Sequence, residues 1–165
     1  MIDFIQYCEI DGIRTFRDSE ITHLFGLAMR DGTYDRLVGI PLEQFMHDLK
    51  TERGLELYVV RDDEKPFCMI IINNISGRRG FAHFCVFSEY WGDHTKITCA
   101  AMGVIDQLLD RFNTLVCVIR EDDPHTRAFM QRLLYEPLCA VPGYYYDITS
   151  NRDIGGIMYL ITKGV

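Results

Sequence analysis

Apolar residues recur along this chain with two periods, and the switches between them separate strands from helices. Ile2-Asp3-Phe4-Ile5 and then Ile10 to Phe16 read as a short opening strand. From Ile21 the period becomes helical, with Leu24, Phe25, Ala28 and Met29 following at i+3, i+4, i+7 and i+8. Asp18 or Ser19 is placed to cap this helix and Asp31-Gly32 to end it. A second helix is expected from Pro41, with Leu42, Phe45, Met46 and Leu49 inward and Gly54 beyond its end. Proline suits a first turn because the amide it lacks would have no intrahelical partner there.

Leu55 to Val60 then reads as a strand and Arg61 to Lys65 as a polar turn. Phe67 to Ile72 is a nearly unbroken apolar run, the pattern of a strand buried on both faces. Asn73 to Gly80 is expected to turn, punctuated by Gly77 and Gly80, before a strand of the same character from Phe81 to Phe87. A long helix is predicted from Thr95 to Phe112. It carries Ile97, Ala101, Val104, Leu108 and Phe112 on one face, with Ala100, Ile105 and Leu109 beside them. Leu115 to Ile119 is a strand. Pro124 opens a short helix, capped by Asp122 or Asp123, whose apolar side is Phe129, Met130, Leu133 and Leu134. Strands around Tyr144-Tyr145-Tyr146 and Ile157 to Ile161 follow, with Pro142-Gly143 and Asn151 to Gly156 as loops. No repeat or linker interrupts the order, so residues 1–165 read as one α/β domain.

Charge and cysteine usage narrow the function classes. A net charge of −7 argues against a nucleic-acid partner, which requires clustered Lys and Arg. The one tight basic pair, Arg78-Arg79, falls in a predicted turn. Cys68, Cys85, Cys99 and Cys117 sit in apolar runs and, with Cys8 and Cys139, form no C-x-x-C pair. The expectation is a reduced, cytoplasmic protein with buried thiols and no metal site. No signal peptide is visible at the start, and no apolar run approaches the roughly 18 residues of a membrane span, so no membrane partner is expected.

The chemistry concentrates between Phe81 and Glu136. There the order strand, loop, long helix, strand, short helix leaves the amino end of the long helix open, and such an end binds anions. Glu89-Tyr90-Trp91-Gly92 leads into it, and Asp123, Thr126 and Leu134-Tyr135 follow the next strand at fixed spacing. In order and element length the whole chain resembles the GNAT N-acetyltransferases. Its aromatic-Trp-Gly turn is similar to that of the branch acetylating ribosomal-protein N-termini. The resemblance implies a central mixed, mostly antiparallel sheet of about six to seven strands flanked by about four helices. It also implies acetyl-CoA as cofactor, with Trp91, Gly92, Asp93, His94, Thr95 and Lys96 around the pyrophosphate. The Cys85-Val86-Phe87 backbone would hold the pantetheine arm, and Asp123 and Thr126 would lie beside it.

The residues depart from that pattern in places with a chemical job. The family's phosphate loop reads Gln/Arg-x-x-Gly-x-Gly/Ala, and Trp91, His94 and Lys96 occupy its defined positions. Close approach of backbone amides to phosphates favours residues without a Cβ. Asp93 adds a carboxylate beside an anion and Lys96 a compensating cation; Asp93 or Thr95 would serve equally as a plain helix cap. Where many members of the family carry a tyrosine as general acid, Met130 stands. For the general base the candidates are His83, Glu89 and His125, histidine titrating closest to neutrality. A strand histidine is nonetheless more often structural, and Glu89 more often a solvated loop carboxylate. Tyr144-Tyr145-Tyr146 reads as a half-buried strand or as the wall of an acceptor or partner surface.

Two functions follow from the resemblance. One is transfer of an acetyl group from acetyl-CoA to an amine: a protein N-terminus, a lysine or a small amine. The other is a cofactor-free protein of the same fold that binds or assembles with partners, as a homodimer or with other proteins. The latter would be similar in general character to accessory and head-assembly proteins of tailed bacteriophages, placing it in a virion or a host cytoplasm.

Overall fold

The computed structural model describes residues 2–10, 12–34, 40–51, 54–147 and 150–162. In chain order its elements are β1 (Ile2–Gln6), β2 (Glu9–Ile10), β3 (Ile13–Arg14), α1 (Asp18–Arg30) and α2 (Leu42–Thr51). Then come β4 (Glu56–Asp62), β5 (Lys65–Ser76), β6 (Arg79–Val86), a 3-10 turn at Ser88–Tyr90 and α3 (His94–Arg111). The remainder is β7 (Thr114–Arg120), α4 (Pro124–Arg132), β8 (Pro137–Asp147) and β9 (Arg152–Thr162). Among the described residues, seven strands form one sheet in the order β1-β4-β5-β6-β7-β9-β8. Only the β6–β7 pair is parallel; every other neighbour is antiparallel.

The sheet separates two cores. Tyr58, Val60, Cys68, Ile70 and Ile72 point toward α3 and α4 and meet Val104, Ile105, Leu108 and Met130. Leu57, Val59, Met69, Ile71 and Cys85 point the other way, onto Ile21, Leu24, Phe25 and Ala28 of α1 and Phe45 of α2. Phe67 to Ile72 is buried throughout because successive side chains of β5 serve both cores, so the unbroken apolar run meets the expectation. The carboxyl end of α3 is closed by Arg78, whose guanidinium donates to the carbonyls of Asp110 at 2.6 Å and Arg111 at 3.0 Å. Half of the basic pair therefore serves as a helix cap.

Several local expectations are corrected. The opening strand is two features: β1 pairs with β4 at the sheet edge, whereas β2 and β3 form a separate two-stranded ribbon. Asp11, within that expectation, lies outside the described residues. Neither Asp18 nor Ser19 caps α1. The cap position is Arg17, whose amide donates to the Glu20 carboxylate at 2.7 Å, the reciprocal half of a capping box. β5 runs on to Ser76, so the turn is confined to Gly77-Arg78. Cys99 is exposed on α3, and Leu134, at a positive φ of 61° just past α4, is 88% exposed.

The largest correction concerns the expected loop from Asn151 to Gly156: Asn151 is in a turn, but residues 152–156 open β9. Gly155 and Gly156 lie in strand conformation because side chains from two directions close on them. A Cβ at Gly156 would sit 2.5 Å from Val118 Cγ1 and 3.1 Å from Tyr144 Cβ. A strand glycine marks such a close approach. Pro142-Gly143 likewise falls inside β8, where the register shifts between Val141 and Tyr145.

Gly156→Ala is therefore expected to destabilise by about 1–3 kcal/mol through overpacking. Gly103→Ala, in the middle of α3 with open space around the new methyl group, is expected to stabilise by about 0.4–1 kcal/mol. Denaturant melts of the two variants, measured side by side, check both signs.

Candidate functional site

The parallel ladder between β6 and β7 stops almost where it begins. Its register pairs are Arg79–Thr114, Gly80–Leu115 and Phe81–Val116, yet β6 continues to Val86 and β7 to Arg120. Backbone alternation decides which groups face the resulting fork. Phe87 donates to Phe67 of β5, and Glu121 donates to Gly155 of β9. Phe84 and Val86, on one side, and Val118 and Arg120, on the other, therefore turn their amides and carbonyls toward the gap. Three carbonyls at the fork are taken by the chain's own side chains. Cys117 Sγ donates to Ala82 O at 3.0 Å, Tyr145 Oη to Val118 O at 2.6 Å, and Trp91 Nε1 to Val86 O at 2.8 Å.

A cleft of about 770 Å³ occupies the fork. On the α3/α4 side its walls are Trp91, His94, Ile97, Asp123, His125, Thr126, Phe129 and Met130. On the α1 side they are Asp31, Gly32, Thr33, His83 and Cys85. The amino ends of both α3 and α4 open onto it. At α3 the cap is Asp93, whose carboxylate accepts from Lys96 N at 3.0 Å; the alternative, Thr95, is already in the helix. At α4 the cap is Asp123, which accepts from Thr126 N at 3.0 Å and from Thr126 Oγ1 at 2.7 Å. Lys96 turns away from the mouth, pairing with Asp62 and lying 5.5 Å over the Tyr90 ring. Among the described residues, the first-turn amides of α3 that meet no acceptor are those of His94 and Thr95.

The opposite wall is built by the end of α1. Thr33 N donates to Ala28 O and Gly32 N to Met29 O, with Gly32 at a φ of +68°: a Schellman ending, for which a glycine is suited. This ending delivers Asp31 and Thr33 to the cleft. The Asp31 side chain is 2% exposed and accepts from the Ser88 amide and hydroxyl, both at 2.7 Å, and from Arg30 at 3.0 Å. Burial alone would raise its carboxyl, but these three donors hold it below the usual carboxylate range. Thr33 Oγ1 lies 3.2 Å from Cys85 Sγ. Burial pushes the Cys85 thiol up to about 11 and the Cys117 thiol up to about 12, so neither is a thiolate nucleophile near neutrality.

The structure brings together most residues singled out in the sequence. Cys85, Val86, Trp91, His94, Asp123, Thr126, His83 and His125 all line the cleft. His83 Nε2 is 3.4 Å from Asn73 Oδ1, and burial lowers its pKa, keeping the ring neutral and able to accept a proton. Glu89 lies elsewhere: it is exposed on the outer rim, 3.9 Å from Arg30. Phe87 is buried in the α1-side core, so of the run Cys85-Val86-Phe87 only Val86 turns its backbone to the fork. Gly92 has no positive φ, and nothing within 4 Å would meet a Cβ there. Sequence reasoning missed Asp31 and Thr33; Tyr145, offered there as part of a half-buried strand or of an acceptor or partner wall, lines the cleft. Tyr145 reaches the fork from the edge strand β8 through its hydroxyl on Val118 O, while Tyr144 lies against the Gly156 position.

This geometry can be compared with solved structures. The ribosomal-protein-S18-alanine N-acetyltransferase from Escherichia coli superposes with a TM-score of 0.67 at 12% identity, covering 98% of this chain and 94% of its own. The spermidine N-acetyltransferase from Vibrio cholerae, solved with CoA and spermine, gives 0.73 at 9% identity, covering 98% and 95%. An N-acetyltransferase from Staphylococcus aureus gives 0.71 at 9%, covering 98% and 97%. The fold is that of the GNAT acyltransferases. No protein-family model and no curated protein matches the sequence, so the likeness is one of fold. The cleft runs through the fork between β6 and β7 from one face of the sheet to the other.

Two pH responses follow. Asp31 is held below its ordinary 3.8, so its share of stability is present above that value and disappears as pH falls through the folded pKa. Asp31→Asn should cost about 1–3 kcal/mol near neutrality, with the gap to the wild type closing in acid. His83 is held below its ordinary 6.5, so the unfolded chain takes up the proton first and stability falls as pH drops beneath that value. His83→Gln should flatten this part of the curve. Melting temperatures of the three proteins between about pH 3 and pH 8 check both.

Proposed function

We propose that the protein is a GNAT-type N-acetyltransferase, moving an acetyl group from acetyl-CoA to an amine of a protein N-terminus, a lysine or a small molecule. The observation that carries this reading is the fork: a β6–β7 ladder ending after Phe81–Val116 in front of the amino end of α3. The residues present fit the cofactor. Strand-facing groups of Phe84 and Val86 match the amides of a pantetheine arm, and their use is independent of side chain. The amides of His94 and Thr95 at the end of α3 suit a phosphate, since an open helix end favours an anion.

The cofactor supplies a thioester carbonyl; the chain supplies placement and proton handling. An amine entering from the α1 side meets Thr33 and His83, and His83, neutral at physiological pH, takes its proton. Asp31, already committed to Ser88 and Arg30, shapes this wall and is not offered as the base. Met130 lines the cleft where a proton donor would be useful and has none to give. The cofactor-free assembly reading draws on Asp93 and Lys96 being engaged within the chain; the neighbours named above, all acetyltransferases, lend it nothing.

Saturating acetyl-CoA at about 100 times its Kd should stabilise the protein by about 2.7 kcal/mol. For a chain of this size that is a rise of about 5–11 °C in melting temperature. A titration with neither a shift nor calorimetric heat would remove the acetyltransferase reading.

A further inference from the structure

Trp91 sits where a ligand of the fork would sit. Its indole N–H donates to Val86 O at 2.8 Å, on the edge of β6 that faces the gap. The bond is not deep in a core: the Trp91 side chain lines the cleft mouth and the residue is 49% exposed. The next residue, Gly92, has open space at its Cβ position. The two other fork carbonyls are held differently. Ala82 O is taken by the buried Cys117 thiol and Val118 O by the half-buried Tyr145 hydroxyl, at the closed end.

We infer that Trp91 is a displaceable stand-in for the arm of the ligand and thereby selects for ligands carrying an amide N–H. The inference rests on the acyl-CoA reading of the cleft. An arm that lies along β6 must take Val86 O from the indole. A ligand that returns an N–H to this carbonyl conserves the number of hydrogen bonds, whereas one that cannot leaves the acceptor orphaned at the cost of its desolvation. Trp91 thus discriminates by the chemistry of the arm, independently of the phosphate end of the ligand.

The chain holds a single tryptophan, so its emission reports this residue alone. Two probes separate the ligand's parts: CoA, with phosphates and an amide-bearing arm, and adenosine 3′,5′-bisphosphate, with phosphates and no arm. On wild-type protein CoA is expected to shift the emission, and the bisphosphate to leave it unchanged. Trp91→Phe removes the donor and keeps an aromatic ring. It is expected to bind CoA about three- to tenfold more tightly by calorimetry, the worth of one partly exposed neutral hydrogen bond, with bisphosphate affinity unaltered. CoA binding that leaves both the emission and the variant's affinity unchanged overturns the inference and spares the acyl-CoA reading. CoA binding by neither protein overturns both. The emission measurement needs no variant, and the circular dichroism of Trp91→Phe verifies its fold.

Discussion

Everything chemical in this protein depends on a parallel strand pair that stops. Two strands aligned at Phe81 and Val116 would ordinarily continue their ladder, since each carbonyl left behind in a poorly hydrated gap costs on the order of 1–3 kcal/mol. Here the ladder ends and three of the stranded acceptors, the carbonyls of Ala82, Val118 and Val86, are met by a thiol, a phenol and an indole from three different elements. The fork is therefore a built feature of the fold. Its closed end is fixed by Cys117 and Tyr145, and its mouth is held by a group that can leave.

The rest of the molecule keeps this fork in register. β5 feeds both cores with consecutive buried side chains, so the sheet cannot slip by one residue without turning each core out. The Schellman ending of α1 places Asp31, and Asp31 fastens the turn after β6 through Ser88. On the other face, Arg111 pairs with Glu56 and Arg78 closes the last carbonyls of α3, anchoring the helix whose opposite end faces the cleft. Asp93 and Asp123 cap α3 and α4, so both helix ends that open on the cleft carry a carboxylate. An anion there shares these ends with the caps, and Lys96 is drawn off to Asp62 rather than offered to it.

Most of the architecture was legible because period and punctuation agreed. The stripe from Ile21 to Ala28 (its predicted last member, Met29, is 48% exposed), the run from Phe67 to Ile72, and the Pro124 start, capped by Asp123 of the two candidates, fall where the pattern puts them. The failures share a cause, namely local signals overruled by tertiary contact. Asn151 to Gly156 reads as a loop on composition, yet its glycines are strand residues, Gly155 kept small by Glu121 and Gly156 by Val118 and Tyr144. Cys99 sits in an apolar run but points to solvent. The site was legible only along the chain. Trp91, His94 and Asp123 were visible at motif positions and His83 as a candidate base, whereas Asp31 and Thr33 reach the cleft through a helix ending that no linear spacing reports.

The central claim is that β6 has one paired edge and one open edge beyond Phe81. Residue-resolved amide hydrogen exchange in the free protein tests it directly. The account predicts slow exchange at His83 and Cys85, which face β5, and fast exchange at Phe84 and Val86, which face the fork. Equal, strong protection at all four amides would mean that the two strands stay paired and that no fork exists.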